Sequence, residues 1–215
     1  MRYADLHRLC ATGSAPEVGQ VTSWAGRTLA DASAGRIEGV LHPLGFLCLP
    51  VERHAGTGVC LHLWSPELPP APTTTSLWHC HSWELLSLLL YGTLHNTLAS
   101  LAEGPDLRVF RVVSAPDGDT LHATDRTVRA EPSQGRTFTR GEVYRLPAGS
   151  FHRTDVTGET ATVALGADRA GGHDMSLGPP GLRSHRVRRR RGDPRQTARL
   201  ARRAADLLQA NGAHP

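Results

Sequence analysis

Residues 141–152 read Gly-Glu-Val-Tyr-Arg-Leu-Pro-Ala-Gly-Ser-Phe-His, which is a short apolar run, a corner and a histidine. The run before Pro147 predicts a β-strand, and Pro147 with Gly149 predicts a sharp turn. His152 then opens the next strand. The fixed positions have the form G-x5-P-x-G-x2-H, counted from Gly141. The sequence therefore predicts a strand–corner–strand unit that ends on a histidine.

A pair of histidines precedes this unit in the chain. His79 and His81 are separated by Cys80. Side chains two residues apart on a strand share a face, so both imidazoles project into the same space while Cys80 points away. Two neutral imidazoles on one wall provide half of a site for zinc, iron, nickel or copper. Combined with the later histidine, the pair predicts a metal site.

Together, the two patterns resemble the two motifs of the cupin superfamily. His79, His81 and Gly92 match the first motif, and residues 141–152 match the second as far as its histidine. One position departs from the family, because Val156 stands where the second motif has an asparagine. The resemblance covers most of the middle of the chain. It implies an all-β double-stranded β-helix, the jelly-roll barrel of the cupins.

The resemblance also implies that His79, His81 and His152 bind one divalent metal ion. The first cupin motif has a glutamate seven residues before its glycine, and Leu85 occupies that position here, next to Glu84. Either a β-bulge turns Glu84 inward as a fourth metal ligand, or the three histidines hold the metal alone. The second arrangement resembles the thiol dioxygenase branch of the cupins. A Glu84 that is not a ligand would orient an imidazole or stay in solvent.

Changes in composition divide the chain into four segments. Residues 41–168 contain short apolar or alternating runs bounded by turn signals, which predicts the strands of one barrel. Residues 1–40 form a helical or irregular lead-in whose glycines break any long helix. Residues 169–192 are a linker rich in Gly, Pro and Arg. Residues 193–212 form a basic helix with an Asp-Pro start.

Two loops are expected within the barrel. The Pro-rich residues 66–72 predict the first of them. The segment between Gly92 and Gly141 is longer than the usual spacing of the two cupin motifs, which implies an inserted loop. Turn residues at 117–125 and 132–135 indicate hairpin turns or loop tips within that insertion.

The distribution of charge and the cysteine content limit the partners and the cellular compartment that we expect for this protein. All 24 basic residues are arginines, and 10 of them lie in residues 183–203. Arginine clusters bind phosphates, but no base-reading motif accompanies this one, so we expect a solvated tail or a helix docked on the barrel and no nucleic-acid partner. The four cysteines lie far apart and predict reduced, mostly buried thiols. With no membrane-spanning run and no secretory signal, we expect a soluble cytoplasmic protein.

Two further residues are candidates for catalysis. Tyr144 and Arg145 are neighbours on the strand of the second motif, so one of them faces the barrel interior. Either side chain could bind a substrate carboxylate or phenolate. His62 lies in another predicted strand and could line the barrel, although a packed histidine is the simpler interpretation.

The resemblance implies a mononuclear metal-dependent enzyme. We favour Fe(II), with zinc, nickel or manganese as alternatives, and predict a dioxygenase that joins O2 to a small polar chelating substrate such as a thiol, an enolic acid or an amino-acid derivative. A redox-neutral isomerase, lyase or epimerase stays open, because a metal can also act as a Lewis acid. A non-catalytic ligand-binding or sensor barrel stays open too. Family analogy also allows a homodimer that uses an edge strand or residues 1–40.

Overall fold

The protein, as a computed structural model, is described over residues 1–68, 73–169 and 171–212. Residues 69–72 of the predicted loop 66–72 lie outside the described residues. Three α-helices are present in these ranges: α1 (Tyr3–Thr12), α2 (Ala15–Ser33) and α3 (Pro194–Gly212). The same ranges contain thirteen strands, which are β1 (Val40–Leu41), β2 (Leu47–His54), β3 (Thr57–Trp64), β4 (His79–Cys80), β5 (Trp83–Tyr91), β6 (Thr93–Ala115), β7 (Gly118–Thr139), β8 (Val143–Leu146), β9 (His152–Val156), β10 (Thr160–Asp168), β11 (Asp174–Gly178), β12 (His185–Arg188) and β13 (Arg190–Arg191).

The strands form two antiparallel sheets. The first has the order β13-β1-β2-β3-β10-β5-β8, and the second has the order β11-β4-β9-β6-β7-β12. Neighbours such as β3, β10 and β5 are far apart in the chain, so the connections cross between the sheets as they do in a jelly roll. The predicted all-β double-stranded β-helix with a C-terminal helix is confirmed.

The first sheet separates a hydrophobic core from a cavity. On β3, Leu61 and Leu63 point to a core that the three helices complete. Cys60 and His62 alternate with them and line the cavity on the other face. This alternation follows from the two-residue period of a strand. The helices therefore close one face of the sheet and leave the other face free to build a site.

The lead-in is more regular than its glycines predict. Gly19 and Gly26 were expected to break a long helix, yet both lie inside α2. A side chain on Gly26 would lie 3.8 Å from the Leu208 side chain of α3, so these two helices pack closely there. Val21 and Leu29 of α2 are fully buried. Burial of this apolar face outweighs the cost of about 1 kcal/mol for each glycine in a helix.

The segment expected to be an inserted loop is a long β-hairpin. The strands β6 and β7 pair along almost their whole length, from Thr93 opposite Thr139 to Ala115 opposite Gly118. The expected turn at residues 117–125 is confirmed only at its start, because residues 119–125 already belong to β7. Residues 132–135, expected to be a loop tip, also lie within β7, beside a register shift. Pairing of strands over this distance depends on tertiary packing, so the local turn residues did not predict that these positions form strands.

The segment interpreted as a linker, residues 169–192, contains β11, β12 and β13. Two of these strands flank the long hairpin, and β13 pairs with β1 at the edge of the first sheet. Arg189 forms an ion pair with Asp119 at 3.1 Å, and Arg191 forms one with Glu38 at 3.0 Å. The tail is thus tied to the barrel by sheet hydrogen bonds and ion pairs, which its composition did not indicate.

Helix α3 docks on the outer side of the first sheet. Asp193 caps it as predicted, accepting a hydrogen bond from the Gln196 backbone N–H at 2.9 Å. Its apolar stripe enters the same core as α1 and α2. Arg199 and Arg203 pair with Glu67 and Glu159 of the barrel. None of the helices in the described ranges has the length and apolar character that a membrane crossing requires.

Candidate metal centre

The strands β4 and β9 place two histidines side by side. His79 lies directly opposite His152 in their antiparallel pairing, so both side chains leave the same face of the second sheet. His81 follows two residues later and returns to that face. The ring centroids lie 4.2 Å apart for His79 and His152, 5.0 Å for His79 and His81, and 5.3 Å for His81 and His152.

One nitrogen of each ring lies within 4.8 Å of the others. Imidazole nitrogens bound to one ion at about 2.0–2.1 Å are roughly 3 Å apart, so small ring rotations would close the three around a cation. We call His79, His81 and His152 the three-histidine group. Their convergence is what the two sequence motifs predicted.

The corner of the second motif ties the two motifs together. Gly149 has a φ of 79°, a left-handed conformation that glycine adopts without strain. Its backbone N–H donates a hydrogen bond of 2.7 Å to the carbonyl oxygen of His81. Because of this bond, the turn that carries His152 and the segment that carries His81 hold a fixed relative position.

Hydrogen bonds to backbone carbonyls orient two of the imidazoles. His79 Nδ1 lies 2.9 Å from the Leu77 carbonyl oxygen, and His152 Nδ1 lies 3.0 Å from that of Ser150. A carbonyl oxygen can only accept, so each Nδ1 carries the proton and donates it. Each Nε2 therefore keeps its lone pair, which is the arrangement found at histidines that bind metals.

Burial keeps the imidazoles of the group neutral. It lowers the pKa of His79, lowers that of His152 to about 3, and holds that of His81 well below its ordinary value. The neighbouring imidazoles lower the pKa of His81 further. The neutral imidazole is the form that binds a metal, so the group needs no deprotonation at neutral pH.

The structure does not bring Glu84 to the three-histidine group. The Glu84 side chain is half exposed and forms an ion pair with Arg169 at 2.7 Å. No bulge turns it inward; instead Leu85, with the opposite strand parity, lines the cavity. The alternative of Glu84 as a fourth ligand is therefore corrected, and the alternative of three histidines without a carboxylate is the one that the geometry fits.

Replacing Glu84 by glutamine is expected to leave metal content unchanged, because its carboxylate faces solvent and Arg169. Loss of this exposed ion pair should lower the free energy of unfolding by at most about 1 kcal/mol. Elemental analysis of the metal-loaded variant and urea unfolding check both expectations. A Glu84→Gln protein that loses its metal would restore the carboxylate to the ligand set.

The two candidate catalytic residues point in opposite directions. Tyr144 is buried in the cavity wall, packed against Leu85 and Phe138, and burial raises the pKa of its hydroxyl to about 12. Arg145 is exposed on the other face of β8, beside Cys10 at the end of α1. Alternation along β8 allows only one of the two to face inward. Tyr144 therefore stays a candidate, and the placement of Arg145 in the site is corrected.

Cys80 has the orientation that alternation predicts. Its side chain is buried in a small core with Phe151 and Leu177, away from the cavity. Burial raises the pKa of its thiol to about 11. Cys80 is thus a structural thiol rather than a metal ligand.

The same cavity, of about 510 Å³, is also lined by His62, which the sequence allowed to line the barrel, and by three residues that the sequence did not single out. Those three are His42, Cys48 and Cys60. A hydrogen bond between the two thiols raises the pKa of Cys48 and lowers that of Cys60. The spacing Cys60-x-His62 on one strand is a signal of the same kind as the His-x-His pair, and it could have identified this wall of the cavity.

Aromatic side chains form much of the remaining wall. Trp83 stacks on His81 with ring centroids 4.2 Å apart. Phe46 lies 4.5 Å from His62 and 4.9 Å from Trp64, again between ring centroids. The cavity thus offers flat apolar surfaces beside a cluster of nitrogen ligands, which is the usual composition of a small-molecule site.

The fold is that of a cupin barrel. Two antiparallel sheets face each other, a sharp corner carries His152, and three imidazoles converge between the sheets. Such a barrel with neutral nitrogen ligands suits a divalent metal ion. The class that fold and site define is therefore a jelly-roll barrel with a candidate centre for a divalent metal ion.

Comparisons with known proteins find only distant structural likenesses. No family model and no curated protein matches the chain. Among solved structures, a hydroquinone 1,2-dioxygenase in complex with Cd2+ and 4-hydroxybenzonitrile is 15% identical, with a TM-score of 0.36 over 56% of this chain and 63% of the dioxygenase chain. The match thus spans less than two thirds of that dioxygenase chain.

Two bacterial proteins give similar matches. A cupin superfamily protein from Desulfitobacterium hafniense is 11% identical, covering 58% of this chain and 78% of that one with a TM-score of 0.35. A putative mannose-6-phosphate isomerase from Ralstonia eutropha is 13% identical, covering 57% and 83% with a TM-score of 0.29. At these identities the likeness concerns the fold alone.

Proposed function

We propose that this protein is an Fe(II)-dependent dioxygenase that acts on a small, flat substrate able to chelate the metal. The observation that carries the proposal is the three-histidine group, whose neutral imidazoles converge with no carboxylate joining them among the described residues. Three neutral ligands leave the full +2 charge of the ion uncompensated, which favours an anionic chelating substrate. They also leave three positions of an octahedral ion open.

The cavity supports the choice of substrate. Trp83, Phe46 and Trp64 offer flat apolar faces, and the cavity of about 510 Å³ admits a single-ring molecule. A phenolic or enolic chelator presents two oxygens to the metal and a planar body to these rings. Thiol and amino-acid substrates lack the planar body, so we place them second.

Tyr144 is proposed to hold the substrate. Its hydroxyl keeps its proton at neutral pH, because burial raises its pKa to about 12. It can therefore donate a hydrogen bond to a substrate oxygen inside the cavity. The apolar side chains of Leu85 and Phe138 packed around Tyr144 lower the local dielectric, which strengthens such a bond.

Bound iron would supply the place where substrate and O2 meet. A dioxygenase reaction inserts both atoms of O2 into the substrate, so the substrate supplies the four electrons and no separate reductant is needed. The chain's own contribution is the orientation of the imidazoles, the dry aromatic walls and the Tyr144 donor.

The test loads metal-free protein with Fe(II) under argon and then measures O2 uptake with catechol, hydroquinone and a short thiol acid. We expect uptake with catechol, which presents two oxygens to one ion, and its loss in the His152→Ala variant; hydroquinone, whose para hydroxyls cannot chelate one ion, should give less. Oxygen-independent turnover with Mn(II) or Ni(II) would replace the proposal by a redox-neutral isomerase, lyase or epimerase. A protein that binds these compounds without turnover under any metal would be a ligand-binding barrel.

A further inference from the structure

The wall of the cavity opposite the three-histidine group carries a second set of metal-ligating atoms. On the ladder between β2 and β3, Cys48 lies directly opposite His62. Cys60 precedes His62 by two residues, so it returns to the same face of β3. All three side chains therefore leave the first sheet on the side that lines the cavity.

The three donor atoms lie close together. The sulfurs of Cys48 and Cys60 and one ring nitrogen of His62 are all within 4.8 Å of one another. Ligand atoms around one tetrahedral zinc are roughly 3.3–3.8 Å apart, given bonds of about 2.3 Å to sulfur and 2.0–2.1 Å to nitrogen. Small side-chain rotations, without movement of the strands, would close this set around an ion.

The strands that carry the set are held rigidly from behind. Leu47, Leu49 and Leu61 alternate with the three ligands and are buried in the core beneath the helices. A site built on two paired strands with a packed opposite face holds its ligands more precisely than a loop does. The spacing of the donors is therefore a property of the sheet.

Among the described residues the set has three protein ligands, and the neighbouring His42 is not one of them. The centroid of the Phe46 ring lies 4.3 Å from that of His42 and 4.5 Å from that of His62. His42 also accepts a hydrogen bond from the Leu44 backbone N–H through Nδ1. The Nδ1 atom of His42 is thus already engaged by the backbone, and the three ligands of the set line the cavity.

We propose that Cys48, Cys60 and His62 form a second metal site, selective for a soft divalent cation such as zinc, on the wall facing the three-histidine group. Thiolate ligands favour zinc, whereas a set of three imidazoles serves iron, nickel and other borderline ions. Binding releases the thiol protons to solvent and leaves one coordination position open to the cavity. The site is independent of the oxygenase chemistry proposed for the three histidines.

Cobalt(II) is the probe that separates the two sites. Thiolate-bound cobalt has an intense near-ultraviolet charge-transfer band, which cobalt bound to imidazoles alone does not have. The full-length protein, kept reduced with a phosphine, is titrated with CoCl2 under argon. We expect two cobalt ions per chain and a thiolate-to-cobalt band that saturates with one of them.

Matched variants assign the band. Cys60→Ser should abolish it and lower the stoichiometry from two ions to one. Cys80→Ser, which removes a buried thiol outside the cavity, should retain the band. His152→Ala should also retain it while losing the other ion, so failure of the oxygenase proposal and failure of this one give different results.

A reduced wild-type protein that binds cobalt without the charge-transfer band overturns the proposal, and this outcome requires no variant to fold. A band that survives Cys60→Ser overturns it as well. A third outcome also overturns it. If the purified chain has two fewer free thiols before reduction than after it, and the reduced chain shows no thiolate-to-cobalt band, then Cys48 and Cys60 are a redox pair rather than ligands.

Discussion

Replacing His152 by alanine is expected to abolish iron loading of the three-histidine group. His152 is 2% exposed and supplies one of three ligands, so its loss leaves two imidazoles and an open cavity. Changes to residues that merely support a metal ligand cost about 10–100-fold in affinity, and loss of a ligand itself should cost at least as much. Iron content after anaerobic loading and gel filtration measures the effect, and O2 uptake should fall with it.

His122→Ala is the matched control, because it removes an exposed imidazole from β7. It should retain the iron content of the natural chain. Both variants are compared again in a Cys60→Ser background, so that iron held by thiols is not counted. If His152→Ala still carries one iron per chain in that background, the three-histidine group is not the metal site.

Replacing Gly92 by alanine is expected to destabilise the whole barrel. Gly92 joins β5 to β6 with a φ of 84°, a left-handed conformation that costs other residues about 1–2 kcal/mol. An added Cβ would lie 2.3 Å from Thr160 Oγ1 and 2.5 Å from the Glu159 carbonyl oxygen. Thr160 is fully buried, so it cannot move aside cheaply. With a further 1–3 kcal/mol for overpacking, we expect a loss of about 2–5 kcal/mol.

Gly158→Ala isolates the steric part of that loss. Gly158 has a similar φ of 74°, but an added Cβ there would meet nothing within 4 Å. Its free energy of unfolding should fall by only about 1–2 kcal/mol, the conformational cost alone. Urea unfolding of the two variants gives the comparison. Equal losses would mean that the contact with Thr160 does not fix the turn.

The parts of the site that the sequence predicted are encoded locally. The corner at Pro147 and Gly149 and the alternation through His79 and His81 each lie within a few residues, and strand geometry converts such spacing into direction. The sequence also identified Glu84 and Leu85 as the two residues at the glutamate position of the first motif. Only the register of β5 decides which of the two side chains faces the cavity. Local patterns thus predicted that the three histidines face one site, but they did not predict whether the carboxylate of Glu84 faces it too.

The parts that were missed depend on pairing across the chain. Cys48 lies opposite His62 only because β2 and β3 form a hairpin with a bulge after Pro50. Likewise, His185 of the tail pairs with Leu121 of the long hairpin, a contact that a Gly- and Arg-rich composition does not reveal. Strand pairing reflects tertiary packing more than intrinsic preference, so composition suggested a linker where strands exist.

The outermost strand at one edge of each sheet comes from the arginine-rich tail. β13 lies beside β1 in the first sheet, and β12 lies beside β7 in the second. The free edge of a sheet offers unpaired N–H and C=O groups to any extended chain, and short cationic strands discourage that pairing. The arginine run therefore discourages edge-to-edge pairing at one edge of each sheet. Copies of this chain that associate should not pair through these two edges.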